Sequence, residues 1–239
     1  HYPPIIKASL TDMATVLHIL KTAKDQAKLL KCPSIIMVFD QAIYAEAQMI
    51  RWSSSDEEYQ DILLTRLGEF YTVMSFMTAI GKRFELSAFE DILVESGVIS
   101  AGSIKGVLAV HKYNRSIYAH KCMFEALLRI QIEEFLSTIP ADDSDSVTAL
   151  TEILLQQHTE GSNNPPDHAL IKAFHQHVIH KSAESAVYAF WNSYITMVGV
   201  LLCFIRATRT ADFNLHLASL RAMLPWFFAY DRVNYPRSV

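Results

Sequence analysis

The stretch Ser34-Ile35-Ile36-Met37-Val38-Phe39 constrains this chain most. It is an unbroken apolar run, rich in β-branched residues, entered from Pro33 and closed by Asp40. A run this short predicts a strand over Ser34–Phe39 that is buried on both faces, as in a parallel or mixed sheet. Open α/β sheets place their chemistry at the C-terminal ends of such strands, which makes Asp40 a candidate functional acid. Asp40 also stands directly before a helical pattern opening at Gln41, where an aspartate is a favoured N-cap. The two readings of Asp40 stand side by side at this point.

Almost everything after this run reads as helix. The chain has 239 residues, is 51% hydrophobic and holds only seven glycines, so a sizeable core and few tight turns are expected. The net charge of −4 gives no global electrostatic footprint for nucleic acid, and leaves room for a local basic groove. Cys32, Cys122 and Cys203 are far apart and odd in number. They form neither a zinc spacing nor a disulfide framework, and a reducing compartment, nuclear or cytoplasmic rather than secretory, is the natural reading. A chain opening on His1 without a signal-peptide pattern is expected to be a piece of a longer protein.

Taken in order, Thr11 reads as the N-cap of a first helix running to Leu30. The strand follows, then a helix from Gln41 to Trp52, making an αβα unit over 1–52. Residues 53–239 read as a large helical region. A first helix there carries Tyr59, Ile62, Leu63 and Leu67, and Gly68 permits a break before Phe70–Phe84. Short helices are expected at Glu85–Glu95, with Gly97 as C-cap, and at Ile104–Val110. A long one capped by Asn114 should run to Ile139, with another over Val147–His158. A surface linker near 160–166 precedes helices over His168–His180, Ser182–Thr210 and Phe213–Tyr230, the last interrupted by Pro225. The fold class expected is α+β, predominantly α-helical. Phe190, Trp191, Leu201, Leu202 and Trp226 are the expected core.

Ser185 to Ile205 contains no charge and is long enough to cross a bilayer. Its small or polar stripe, Ser185, Ala189, Asn192, Thr196, Gly199 and Cys203, fits a helix buried in a bundle, so no membrane partner is expected. His168, His175, His177 and His180 are dense, with Asp167 near, but no third metal ligand is indicated and a solvated helix face is the plain reading. No Gly-rich phosphate loop, nucleophile elbow, Cys–His signature or zinc-protease motif is present. Lys112, Arg115, His120 and Lys121 form a polar cluster that could meet a phosphate backbone. Lys121 and Glu125, spaced i,i+4, equally suit a helix ion pair.

Several phrases together resemble a known group. They are Val38-Phe39-Asp40-Gln41-Ala42-Ile43-Tyr44; Arg66-Leu67-Gly68-Glu69-Phe70-Tyr71 with Met74-Ser75-Phe76-Met77 and Ile80-Gly81-Lys82; Glu95-Ser96-Gly97; Tyr113-Asn114-Arg115 with His120-Lys121 and Glu125-Ala126; and Pro225 to Tyr235. Their order and spacing, from about Cys32 to Tyr235, resemble transposon-derived proteins of animal genomes related to the KDZ and Plavaka-type transposases. The resemblance implies a partial RNase H-like αβα unit at the N-terminus followed by a large helical bundle. It also implies an ancestry in metal-dependent DNA strand cleavage and transfer, with Mg²⁺ or Mn²⁺ in the complete protein and Asp40 as a metal ligand. DNA is the implied partner, with homo-oligomerisation a further expectation. Relatives often carry histidine where this chain has Tyr71, and the remaining acids Glu69, Asp91, Glu95 and Asp231 take no assigned role. The chain by itself is therefore expected to be inactive. The alternative is a domesticated, non-catalytic helical module that binds DNA or protein.

Overall fold

The computed structural model describes residues 5–9, 12–54, 61–140, 143–160 and 166–230. Of these, 75% are helical and 5% lie in strands, so the predominantly helical expectation holds. The expected cap Thr11, Tyr59 and most of the 160–166 linker fall outside the described residues, as does the chain beyond Tyr230.

The chain forms two compact units: one from residues 1–85 and 203–239, the other from 86–202. The first unit opens with α1 (Met13–Leu29), capped by Asp12, whose carboxylate accepts from the N–H of Ala14 and the hydroxyl of Thr15. Strand β1 (Ile35–Phe39) and α2 (Gln41–Ser53) follow, then β2 (Leu63–Leu67). The two strands are parallel, with Ile35 opposite Leu63 and Phe39 opposite Leu67. Helix α2 is the crossover that parallel pairing demands.

Residues 63–67 are a strand, not part of a helix as their apolar spacing suggested. Leu63, Thr65 and Leu67 alternate with the outward Leu64 and Arg66, a period of two. Strand β1 is not buried on both faces, against the expectation from its unbroken apolar run. Ile35, Met37 and Phe39 pack with Leu63 on the core of Val16, Leu20, Ala23, Ala47 and Ile50. Ile36 and Val38 point away and are 59% and 57% exposed. Helices α1 and α2 cover one face of the sheet, and no described element covers the other. Arg51 braces the covered arrangement by donating from Nη1 to Thr65 Oγ1 at 2.9 Å.

Helix α3 (Glu69–Arg83) leaves β2 at Gly68, whose N–H donates to Phe39 O at 2.8 Å. A Cβ at position 68 would stand 3.1 Å from that same oxygen, so the close approach of the two strand ends favours glycine there. Within this unit α3 packs on α10 (Phe213–Ala229), with Phe76 edge-on to Phe227 and the Arg83 guanidinium over the Trp226 ring. Pro225 lies inside α10.

The second unit holds α4 (Phe89–Glu95), α5 (Ile104–Leu108), α6 (Tyr113–Ser137), α7 (Ser144–Glu160), α8 (Ala169–Glu184) and the first part of α9 (Ala186–Thr210). Gly97 has φ +71 and closes α4, its N–H donating to Val94 O. This is the left-handed C-terminal position that the sequence predicted. Helix α6 begins at Tyr113, so Asn114 lies in its first turn and Lys112 is the cap residue. Ser185 breaks the expected Ser182–Thr210 helix: its backbone is extended and its hydroxyl accepts from Tyr188 N–H.

Helix α9 is long and apolar enough to cross a membrane by length and composition. Within the second unit it buries Tyr194, Met197, Val198 and Leu201, while Thr196 is exposed. Its large apolar face, rather than its small stripe, is therefore the buried one. Of the expected core residues Leu201 is fully buried, and Phe190, Trp191, Leu202 and Trp226 are only partly so.

Candidate functional site

Parallel pairing brings the C-terminal ends of β1 and β2 side by side, with Asp40 following one and Gly68-Glu69 the other. Asp40 is half-buried, and its Oδ1 accepts from Ile43 N–H at 2.9 Å, capping α2. The Glu69 carboxylate accepts from the Arg66 guanidinium at 2.7 Å. A cleft of about 180 Å³ opens here, lined by Arg66, Glu69, Thr208, Asp212, Phe213 and His216. Asp212 spends one oxygen capping α10 through Leu215 N–H. His216 is buried, with its ring 4.8 Å from that of Phe204. Its pKa is lowered, first by burial and then by the Arg66 charge, with Glu69 pulling the other way.

His216 had no chemical signal in the sequence. It recurs with Ser219, Met223 and Phe227 on the buried face of α10, where a histidine reads as a core residue. Tyr71 is exposed on α3.

A divalent cation asks for several oxygen ligands converging at one point. Asp40 and Glu69 each have a carboxylate already engaged. Among the described residues no group of three His, Cys, Asp or Glu side chains could hold a metal ion. The donors among the described residues do not fit Mg²⁺ or Mn²⁺. Asp91 and Glu95 lie exposed on α4 in the second unit, and Asp231 is outside the described residues.

The cluster Lys112, Arg115, His120 and Lys121 divides in two. Lys112, Arg115 and Lys121 are exposed. His120 is buried, so it does not share their surface: its Nδ1 lies 2.8 Å from the Tyr194 hydroxyl and its ring stacks on Phe89. Burial alone lowers its pKa to about 4. The period of α6 explains the split, because Ser116, Ala119, His120 and Met123 form its buried face. The expected Lys121–Glu125 pair is replaced by Arg129–Glu125 at 2.7 Å.

The histidines of α8 do not converge. His168 caps the helix by accepting from Leu170 N–H, and His175 and His180 are exposed. His177 is mostly buried beside Phe135, with Nε2 3.8 Å from Glu134. Glu134 is held below the usual carboxylate range chiefly by its hydrogen bond from Lys181, which is itself held above the usual lysine value. This reads as a pinned α6–α8 contact rather than a ligand set.

Fold and site together define a predominantly helical α+β protein with a two-stranded parallel sheet whose strand-end acids are committed to a helix cap and an ion pair. The chain belongs to a family described as a domain of unknown function (DUF8702), whose model matches residues 1–239. No curated protein and no solved structure matches it.

Proposed function

We propose that this chain is a nucleic-acid-binding segment of a transposase-related protein and that on its own it does not cut DNA. The lineage rests on the resemblance of the phrases quoted above, with the β1–α2–β2 crossover as the remnant of an RNase H-like core. The observation that carries the non-cleaving part is the engagement of Asp40 as the cap of α2, with Glu69 held by Arg66. The binding part is supported by exposed Lys112, Arg115 and Lys121.

The test incubates the chain with supercoiled plasmid and with a labelled oligonucleotide, in Mg²⁺ and in Mn²⁺. Retention of DNA without metal-dependent nicking is the expected result. A second reading is favoured by the placement of Asp40 and Glu69 at adjacent parallel strand ends. In it, a longer protein supplies further carboxylates and Asp40 takes part in cleavage. Metal-dependent nicking that Asp40→Asn abolishes would replace the first reading by this one.

A further inference from the structure

From Ser96 to Phe124 the chain contains no Asp or Glu, although its net charge is −4. The same stretch carries Lys105, Lys112, Arg115 and Lys121, all exposed. Four cations elsewhere in the protein meet acids: Arg66 meets Glu69, Arg129 meets Glu125, Lys172 meets Asp167 and Lys181 meets Glu134. None of the cations of this stretch is in an ion pair among the described residues. Ser116 Oγ donates to Val107 O at 2.6 Å and Arg115 Nη1 lies 3.5 Å from Ser103 Oγ, tying the start of α6 to α5.

Along α6, Arg115, Tyr118 and Lys121 follow at steps of three, each turned by about 60° from the last, with Tyr118 and Lys121 on the side opposite buried Ser116, Ala119 and Met123 and Arg115 at the edge of that buried face. Tyr118 is 57% exposed and is the one large apolar side chain exposed in this stretch. A membrane-surface helix would show several large apolar side chains beside its cations. A lone aromatic between two cations instead suits a strand whose unpaired base stacks on the ring while its phosphates meet the charges. In a duplex the bases already stack on one another, and the ring has no free partner.

We infer that the Arg115–Tyr118–Lys121 face of α6, with Lys105 and Lys112 beside it, binds single-stranded nucleic acid through base stacking and phosphate contacts. This rests on the nucleic-acid-binding reading above and names its surface and its ligand.

The test measures fluorescence anisotropy of a labelled oligo-dT strand and of a duplex of equal length. The proteins are the wild type, Arg115→Ala, Lys121→Ala, the double charge reversal Arg115→Glu/Lys121→Glu, Tyr118→Ala and Tyr118→Phe. The strand should bind more tightly than the duplex. Each alanine at a cation should weaken strand binding and reduce the log–log salt slope by about 0.7. Tyr118→Ala should weaken strand binding roughly tenfold, and Tyr118→Phe should leave it unchanged. All these side chains are exposed, and far-UV circular dichroism verifies that each variant keeps its helices. Wild-type affinity in the charge-reversed protein or in Tyr118→Ala overturns the assignment of this face alone. A wild type that holds neither strand nor duplex removes the nucleic-acid-binding reading with it. Binding to anionic vesicles but not to the strand also overturns the inference.

Discussion

His120 Nδ1 on α6 and the Tyr194 hydroxyl on α9 lie 2.8 Å apart, and both side chains are buried. Burial pushes the His120 pKa down to about 4 and the Tyr194 pKa well up, so each is held neutral. Above pH 6.5 the imidazole is neutral folded or unfolded, and the full stability is present. As the pH falls from 6.5 toward 4 the unfolded chain takes up a proton that the fold refuses, and stability is lost. Between pH 8 and pH 5 this one group should cost about 2 kcal/mol. Urea denaturation at the two pH values checks it, and His120→Asn should shrink the difference by about that amount. Tyr194→Phe should cost roughly 1–3 kcal/mol at pH 8, because it leaves the buried ring nitrogen without its partner.

Asp40 caps α2, and Asn caps about as well as Asp. Asp40→Asn should therefore leave stability nearly unchanged, and Asp40→Ala should cost about 1 kcal/mol. Denaturation midpoints of the two variants separate the cap role from any other. An equal loss in both would show that the charge, not the cap, matters to the fold.

The sheet has one covered and one uncovered face, set by the register Ile36–Leu64 and Val38–Arg66. Val38→Lys should fall within roughly 0.5 kcal/mol of wild type, as exposed substitutions do. Met37→Lys, one residue away, should unfold the first unit by burying an unpaired charge. Similar thermal melts for the two would mean that the face assignment is wrong.

Leu86 is fully exposed and has φ +63, a left-handed conformation that an L side chain adopts at a cost. Leu86→Gly relieves that cost without opening a cavity. It should raise stability by about 0.5–1 kcal/mol, read from the denaturation midpoint. A loss of stability would show that the leucine side chain makes a contact that the fold needs.

Leu201 is fully buried and Trp191 only partly. Leu201→Ala should cost about 3 kcal/mol through the cavity it leaves. Trp191→Ala should cost less, despite removing the larger side chain. The reverse order in chemical denaturation would place Trp191 in a tighter site than its exposure implies.

Local signals carried much of this protein. The helical period from Gln41 onward, the strand after Pro33, the cap at Asp40 and the left-handed Gly97 all follow from residues a few positions apart, because helix hydrogen bonds and caps are made within one turn. The failures involve partners distant in sequence. Ile62, Leu63 and Leu67 fit a helix as well as a strand until β1 is laid beside them, when parallel pairing and the Gly68–Phe39 hydrogen bond decide for β2. The apolar run of β1 promises two buried faces, yet α1 and α2 pack on one, so Ile36 and Val38 are left outside. His120 stands among basic residues in the sequence, but the turn of α6 puts it under Tyr194 while Arg115 and Lys121 stay in water. His216 offered no signal, because its cleft exists only where the end of β2 meets α10 and the last turn of α9. The sequence by itself determined most of the helices, the cap at Asp40 and which strand ends in an acid, since those depend on neighbouring residues. Tertiary structure alone decided which faces are buried and which charged side chains stay exposed, since those depend on what packs across a distance the chain does not spell out.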